Sequence, residues 1–438
     1  MNFGRTEDAD PYLPGHGSRA WSVTHYDLEL EYKVAGNRLD ARARLRVVAA
    51  AEVTRISLDL ARLRVSKVTA DGRPVTRFRH HGGKLHVMFD APLQQGDSVL
   101  VTVDYSGSPQ PTRGQWGDVG WEELTDGVIV AGQPDGAPSW FPCNDRPNDK
   151  ASYRLTVSAE SAYLVVANGR LVDKQVGGSR TTWIYDQPQP MSTYLATVQI
   201  GRYVEWSARG SAVPVAIVAP PSRRRAAEHD LGRQVQMLEV FQQLFGPYPF
   251  AGYTAVVTDD DLGIPLEAQG LSIFGANHVD GQSGSERLVA HELAHQWFGN
   301  SLTVDRWQDI WLHEGFACYA EWLWAERADG RPAGAAAREA WERLAGLPQD
   351  LLLGDPGPEL MFDDRLYKRG ALALHALRTA LGDEAFFEAV RAWTSRYRHS
   401  VAGTDEFLAL VGPDGAEVLK PWLFEAKLPK LTAGRQRR

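Results

Sequence analysis

Cysteine is nearly absent: the 438 residues hold two, Cys143 and Cys318. They fall in different predicted domains, so a structural disulfide is not expected, a reducing cytoplasm fits, and each thiol reads as a small buried hydrophobe. Long apolar runs are missing as well. No uninterrupted stretch approaches the roughly 18 residues of a membrane span. The opening MNFGRTEDADPYLPGHGS carries acids, glycine and proline where an export signal needs an apolar core. Neither membrane association nor secretion is expected. Positive charge is in deficit, with 47 Lys and Arg against 55 Asp and Glu and a formal net charge of −8, which argues against a nucleic-acid partner. The basic clusters Arg223-Arg224-Arg225 and Arg435, Arg437, Arg438 read as solvated surface. No internal repeat is detectable, and the only biased tract is the Ala-rich stretch 333–337.

What is present is a globular composition, 43% apolar and 23% charged, on a chain long enough for two or three domains. From 20 to 205 the residues alternate with period two or are β-branched, as in Tyr26–Tyr32, Ala41–Val47 and Ser98–Val103, with Gly, Asp or Pro between runs. A composition shift at Pro214 to Pro221 precedes a helical pattern from Ala226 to Phe245. A strand at 253–258 and an extended piece at 263–274 follow. Helices are then expected from Gly284 to Gly299-Asn300, through Glu314 to about Ala328, over 333–344, 368–382, 384–397 and 404–411. The chain thus reads as multidomain α+β, with an N-terminal β domain at 1–205 and a mostly helical domain at 206–438.

One string carries chemistry. In His291-Glu292-Leu293-Ala294-His295 the two histidines stand four apart, so they project from one helix face and can reach one tetrahedral Zn²⁺. Glu292, between them, is placed to take a proton from a metal-activated water rather than to bind the metal. Eighteen residues separate His295 from Glu314, room for a loop and a second helix that brings in a third ligand. The apolar Leu293, Ala294, Trp297 and Phe298 should bury this helix, which speaks against two solvated histidines. Glu321, seven residues after Glu314, shares its helix face and could accept a hydrogen bond from a metal-binding imidazole. His278, His313 and His375 stay outside the site, since a single His near a motif is more often packed or solvated than a ligand.

The full strings HELAHQWFGN and WLHEGFA resemble the gluzincin aminopeptidases, the family of aminopeptidase N, puromycin-sensitive aminopeptidase and the leukotriene hydrolase. The resemblance extends to Trp140–Pro147, Lys150-Ala151, Tyr194–Ala196 and Tyr367–Ala371, and so covers nearly the whole chain. It implies a saddle-like β-sandwich domain on a thermolysin-like catalytic domain, with the site in the cleft between them and one zinc per chain. Glu267, 24 residues before His291, matches the carboxylate of the family's exopeptidase motif and would bind the free α-amine of a peptide. The remainder of that motif is replaced by Ile264-Pro265-Leu266-Glu267-Ala268, and Pro265 has no backbone N–H to offer a substrate. Gln133, nine residues before Pro142, matches a glutamine that also contacts the amine. Tyr367 matches a tyrosine whose phenol donates to the developing oxyanion.

The implied activity is removal of single N-terminal residues from peptides. Two alternatives stay open: a zinc endopeptidase, if the altered surroundings of Glu267 no longer hold an amine, and a catalytically inactive peptide-binding protein. The chain ends about where the catalytic domain of the relatives finishes, so no separate C-terminal helical domain is expected, and the cleft should be more open or closed by a partner subunit.

Overall fold

The computed structural model describes residues 10–431; Arg435, Arg437, Arg438 and the first nine residues lie outside the described residues. The period-two segments form β1 (Trp21–Lys33), β2 (Arg38–Ala49), β3 (Val53–Asp59), β4 (Arg64–Ala70), β5 (Val75–His81), β6 (Lys84–Leu93), β7 (Ser98–Gly107) and β8 (Thr112–Gly114). They continue as β9 (Gly117–Leu124), β10 (Gly127–Ala131), β11 (Ala151–Glu160), β12 (Leu164–Ala167), β13 (Arg170–Val176), β14 (Arg180–Met191), β15 (Val198–Gly201) and β16 (Val204–Ser207). Three sheets result: seven strands in the order β13-β14-β11-β1-β2-β7-β4, five in the order β12-β15-β10-β9-β8, and three in the order β3-β6-β5. In β1 the alternate residues Tyr26, Leu28, Leu30 and Tyr32 are buried. Each such side chain stabilises the fold by about 1.5–3 kcal/mol. Tyr26 also stacks on Tyr153 of β11, ring centres 4.8 Å apart, and meets Phe141 edge-on, which ties the Trp140–Pro147 segment to the sheet.

The second half contains β17 (Val215–Ala219), helices α1 (Arg224–Asp230) and α2 (Gln234–Phe245), and strands β18 (Tyr253–Val257), β19 (Leu266–Ala268) and β20 (Leu271–Phe274). It continues through α3 (Glu286–Ala294), α4 (Trp311–Ala328), α5 (Ala333–Ala345), α6 (Asp364–Leu381), α7 (Asp383–Arg396) and α8 (Thr404–Phe424). The strands make one sheet, β16-β17-β18-β20-β19, whose central strands run parallel. The expected boundary after residue 205 falls inside β16, whose backbone pairs with β17.

Three helix expectations need correction. The pattern from Ala226 to Phe245 is two helices, interrupted at Leu231-Gly232-Arg233. The helix carrying the histidine pair ends at Ala294 rather than Gly299: Asn300, Ser301 and Leu302 turn back to the carbonyls of His295, Gln296 and Trp297, five residues earlier, and Gly299 adopts φ +123°. The helix expected over 404–411 continues to Phe424 across a kink at Gly412, where φ is +73° ahead of Pro413. Among the described residues no helix is long and apolar enough to cross a membrane, and Cys143 and Cys318 are buried free thiols.

Candidate active site

Helix α3 and the turns that follow it present His291 and the C-cap residue His295 inward, because Leu293, Ala294, Trp297 and Phe298 beside them are all buried. The next helix, α4, packs beside it and contributes Glu314 from its first turn. Glu314 Oε2 stands 3.4 Å from His291 Nε2 and 3.6 Å from His295 Nε2, and the three donor atoms lie within 4.8 Å of one another. Helix α6 approaches α4 through two glycines, since a Cβ on Gly315 would sit 2.9 Å from the Cα of Gly370. Those glycines stand next to Glu314 and three residues beyond Tyr367, so the close crossing sets Tyr367 beside the histidines. Its ring lies over that of His291, centres 6.1 Å apart and planes inclined by 19°.

The hydrogen bonds fix which imidazole nitrogen faces the cluster. His295 Nδ1 donates to the carbonyl of Phe298 at 3.0 Å, and His291 Nδ1 donates to Glu321 Oε1 at 2.8 Å. Both Nε2 atoms therefore face the Glu314 carboxylate. An anionic oxygen set against two imidazole nitrogens calls for positive charge between them, a proton on His291 Nε2 or a metal cation in its place. Two imidazole nitrogens and one carboxylate oxygen are a donor set that suits a catalytic zinc, with a fourth position left open.

Glu321 is itself held. Arg287 of α3 reaches both of its oxygens at 3.1 and 3.2 Å, and Lys368 of α6 stands 3.9 Å away. Burial raises the Glu321 carboxyl, but the bond from His291 and the charges of Lys368 and Arg287 outweigh it and hold the group below its ordinary value. Burial likewise opposes charge on His291, yet Glu314 and Glu321 bring it up to about 10; burial takes His295 down to about 4.

A second cluster overlaps the first. Ligating atoms of Glu267, Glu292 and His295 also lie within 4.8 Å of one another. Glu267 sits on β19, the short edge strand, and accepts from Gln133 Nε2 at 2.7 Å across the domain boundary. Gln296 and Asn300, from the string that follows the histidines, pin the β19–β20 turn: Gln296 donates to Ala268 and Leu271 and accepts from Gly270, and Asn300 donates to Ala268. Burial raises Glu267 well above the carboxylate range, with Glu314 and Glu292 adding to it. Burial brings Glu292 up to about 7, His291 opposing and Glu314 adding; its Oε2 is buried with no hydrogen-bond partner. Burial, then Glu314, keeps the Tyr367 phenol protonated far past its ordinary value.

All eight residues singled out in the sequence are thus brought to one place, and His278, His313 and His375 are elsewhere. His313 accepts from the backbone of Val304. Several supports had no sequence reading of their own. Arg287 is one, and Lys368, within the Tyr367–Ala371 segment of the resemblance, is a second. Lys150 is another: from the β domain it donates to the carbonyls of Asn300 and Ser301 and to Thr303 Oγ1 at 2.8–2.9 Å, and Tyr194 donates to Gly299. Lys150 and Tyr194 belong to motif segments of the resemblance, the one signal that marked them.

Residues 22–195 match the model of the peptidase M1 N-terminal domain and 229–420 that of the peptidase family M1 domain. An M1 zinc metallopeptidase from Deinococcus radiodurans, in a mutant bound to a Tyr-Ser-Ala substrate, superposes with a TM-score of 0.89 at 31% identity, covering 96% of this chain and 98% of the other. The chain belongs to peptidase family M1. Among curated M1 relatives, aminopeptidase M1-B of Oryza sativa subsp. japonica is 26% identical over 92% of this chain and 49% of its own length. Probable aminopeptidase 2 of Sulfurisphaera tokodaii is 26% identical over 67% and 40%. The chain spans about half or less of the length of the curated relatives it matches. Membership in M1 accounts for the β-rich domain ahead of a helical one.

Proposed function

We propose that this chain is a zinc-dependent aminopeptidase that releases the N-terminal residue of peptides bearing a free α-amine. The observation that carries the reading is the convergence of three carboxylates, Glu267, Glu292 and Glu314, on the two histidines in a buried space. Without cations the cluster is driven toward its neutral forms, Glu267 well above the carboxylate range and Glu292 up to about 7, because unpaired buried charge is costly; cations restore the charged forms. A divalent metal on His291, His295 and Glu314 supplies two positive charges, and a substrate ammonium at Glu267 supplies the third.

Bound there, zinc contributes Lewis-acid polarisation of the scissile carbonyl and acidifies water. The chain's residues do the rest. Glu267 and the Gln133 amide oxygen accept from the α-ammonium and so fix where the peptide begins. Glu292, with its free Oε2, takes a proton from the attacking water and returns it to the leaving amine. Tyr367, held protonated, donates to the carbonyl oxygen as negative charge develops on it. Glu321 and the Phe298 carbonyl fix the imidazole tautomers. The two buried free thiols support a reducing, cytoplasmic setting.

The test is Glu292→Gln. It is expected to retain stoichiometric zinc by elemental analysis and to lose at least about 10³-fold in kcat on an aminoacyl-coumarin. Unchanged kcat would remove Glu292 from the chemistry. Absence of zinc from the wild-type protein would remove the reading altogether.

A further inference from the structure

Lys150, at the entry to β11, is a β-domain cation whose hydrogen-bond partners all belong to the second half of the chain. Its Nζ donates to the carbonyls of Asn300 and Ser301 at 2.9 and 2.8 Å and to Thr303 Oγ1 at 2.9 Å. The Ser400 carbonyl, at 3.4 Å, is a fourth contact. None of these partners is a carboxylate. The Thr303 hydroxyl gives its own proton to the Gly299 carbonyl at 2.6 Å, so toward Lys150 its oxygen can only accept. Burial, with nothing opposing it, takes the lysine down to about 7, yet three acceptors at this range are matched only by the three protons of the ammonium form.

The turn that Lys150 holds is shared by both sides of the site. Asn300 donates its backbone N–H to the His295 carbonyl at 3.0 Å and its Nδ2 to the Ala268 carbonyl at 2.9 Å. His295 is a metal donor, and Ala268 follows Glu267 on β19. Gly299 lies against the imidazole, since a Cβ on it would stand 3.3 Å from His295 Nδ1, and that nitrogen bonds the carbonyl of the preceding residue, Phe298. Asn300 and Ser301 are buried, so their carbonyls need a donor, and a cation at a helix C-terminus also meets the partial negative charge gathered there.

We propose that Lys150 is a positioning residue: from the β domain it fixes the turn after α3 and so holds His295 and Glu267 in register with one another. The proposal rests on the aminopeptidase reading for its amine half, while its metal half stands on the donor set alone. The competing view is that Lys150 only fastens one domain to the other. A contact that does only this is available for comparison. Trp116, in the β8–β9 turn, donates its indole N–H to the Pro358 carbonyl at 3.0 Å and stands edge-on to Phe362, bonding to none of the site residues. Losing a fastener lowers the melting temperature but leaves the metal affinity and the KM of the folded protein as they were.

The experiment compares wild type, Lys150→Met and Trp116→Phe, each with a melting temperature. Zinc affinity is read by chelator competition without substrate, and KM on an aminoacyl-coumarin at saturating zinc. Lys150→Met is expected to weaken zinc about tenfold, the low end for a group acting through a ligand, and to raise KM roughly five- to tenfold. Trp116→Phe is expected to lower the melting temperature with both readouts within about twofold of wild type. If Lys150→Met does not fold, Lys150→Arg carries the test: its planar fork cannot serve three converging oxygens in the same way, and both readouts should shift about threefold in the same directions. A folded Lys150 variant with wild-type zinc affinity and KM overturns the proposal and leaves the aminopeptidase reading standing. A shift in only one of the two overturns the shared register. Wild type that binds zinc but cleaves no free aminoacyl-coumarin overturns the aminopeptidase reading and the amine half together, and chelator competition still decides the His295 half.

Discussion

The metal-donor side of the site and its amine side are built by different means. His291 lies on α3 and His295 caps its C-terminal end, and Glu314 comes from the next helix, pressed against α3 and against α6 through the Gly315–Gly370 contact. The amine side joins a loop glutamine of the β domain to a three-residue edge strand, residues 133 and 267, through a single 2.7 Å hydrogen bond. The first arrangement is rigid because packed helices fix it. The second is set by how the two domains meet, and it is where the motif departs most from its family, at Ile264 and Pro265. Ile264 is 69% exposed, so this substitution adds an apolar group to the rim rather than to the core. In this molecule, then, helix packing fixes the His291–His295–Glu314 cluster, and a cross-domain contact fixes the Gln133–Glu267 pair.

The largest break in that comparison should come from Glu267→Ala. Removing one partner of a buried ion pair costs about 2–5 kcal/mol, so kcat/KM on aminoacyl-coumarins should fall roughly 10²- to 10³-fold with zinc content unchanged. Gln133→Ala should fall about tenfold. Equal, small losses in both would mean that the amine is held elsewhere. On the metal side, Glu321→Gln should weaken zinc about 10- to 100-fold in chelator competition while leaving amine recognition intact. A wild-type zinc affinity in that variant would make Glu321 a packing residue only.

The helical side was largely legible, because a spacing of four on a helix is local information: the histidine pair was read from it, and the helices expected through Glu314 to about Ala328, over 333–344 and over 368–382 are found at 311–328, 333–345 and 364–381, the last starting early enough to include Tyr367. The end of α3 did not, since the five-residue turns after His295 depend on Gly299 and on Lys150 reaching in from the β domain. The break between α1 and α2 was missed because apolar spacing continues through Leu231. Gln133 and Glu267 meet only in three dimensions, and the family motif marked them where periodicity could not. The roles of Arg287 and Lys368 emerge only when α3, α4 and α6 are placed together around Glu321.

The smallest effect concerns the N-terminal segment that fastens the two halves. His16 stands 3.1 Å from Asp145 and 3.9 Å from Asp135. Burial opposes its charge, but Asp145, with Asp59 and Asp135, outweighs this and raises it to about 9. A histidine raised on folding stabilises fully below its ordinary value near 6.5, and that contribution is lost as pH rises through about 9. The melting-temperature advantage of wild type over His16→Ala should therefore be greatest below pH 6.5, worth roughly 1–2 kcal/mol, shrink between pH 6.5 and about 9, and be gone above that. An advantage that grows with pH would reverse the assignment.

Both sides of the site are tested together by one measurement. A single peptide is presented with a free and with an acetylated N-terminus, and the products are resolved by mass over time. The account predicts sequential release of single residues from the free peptide and no cleavage of the acetylated one. Internal cleavage of the acetylated peptide at a comparable rate would contradict it.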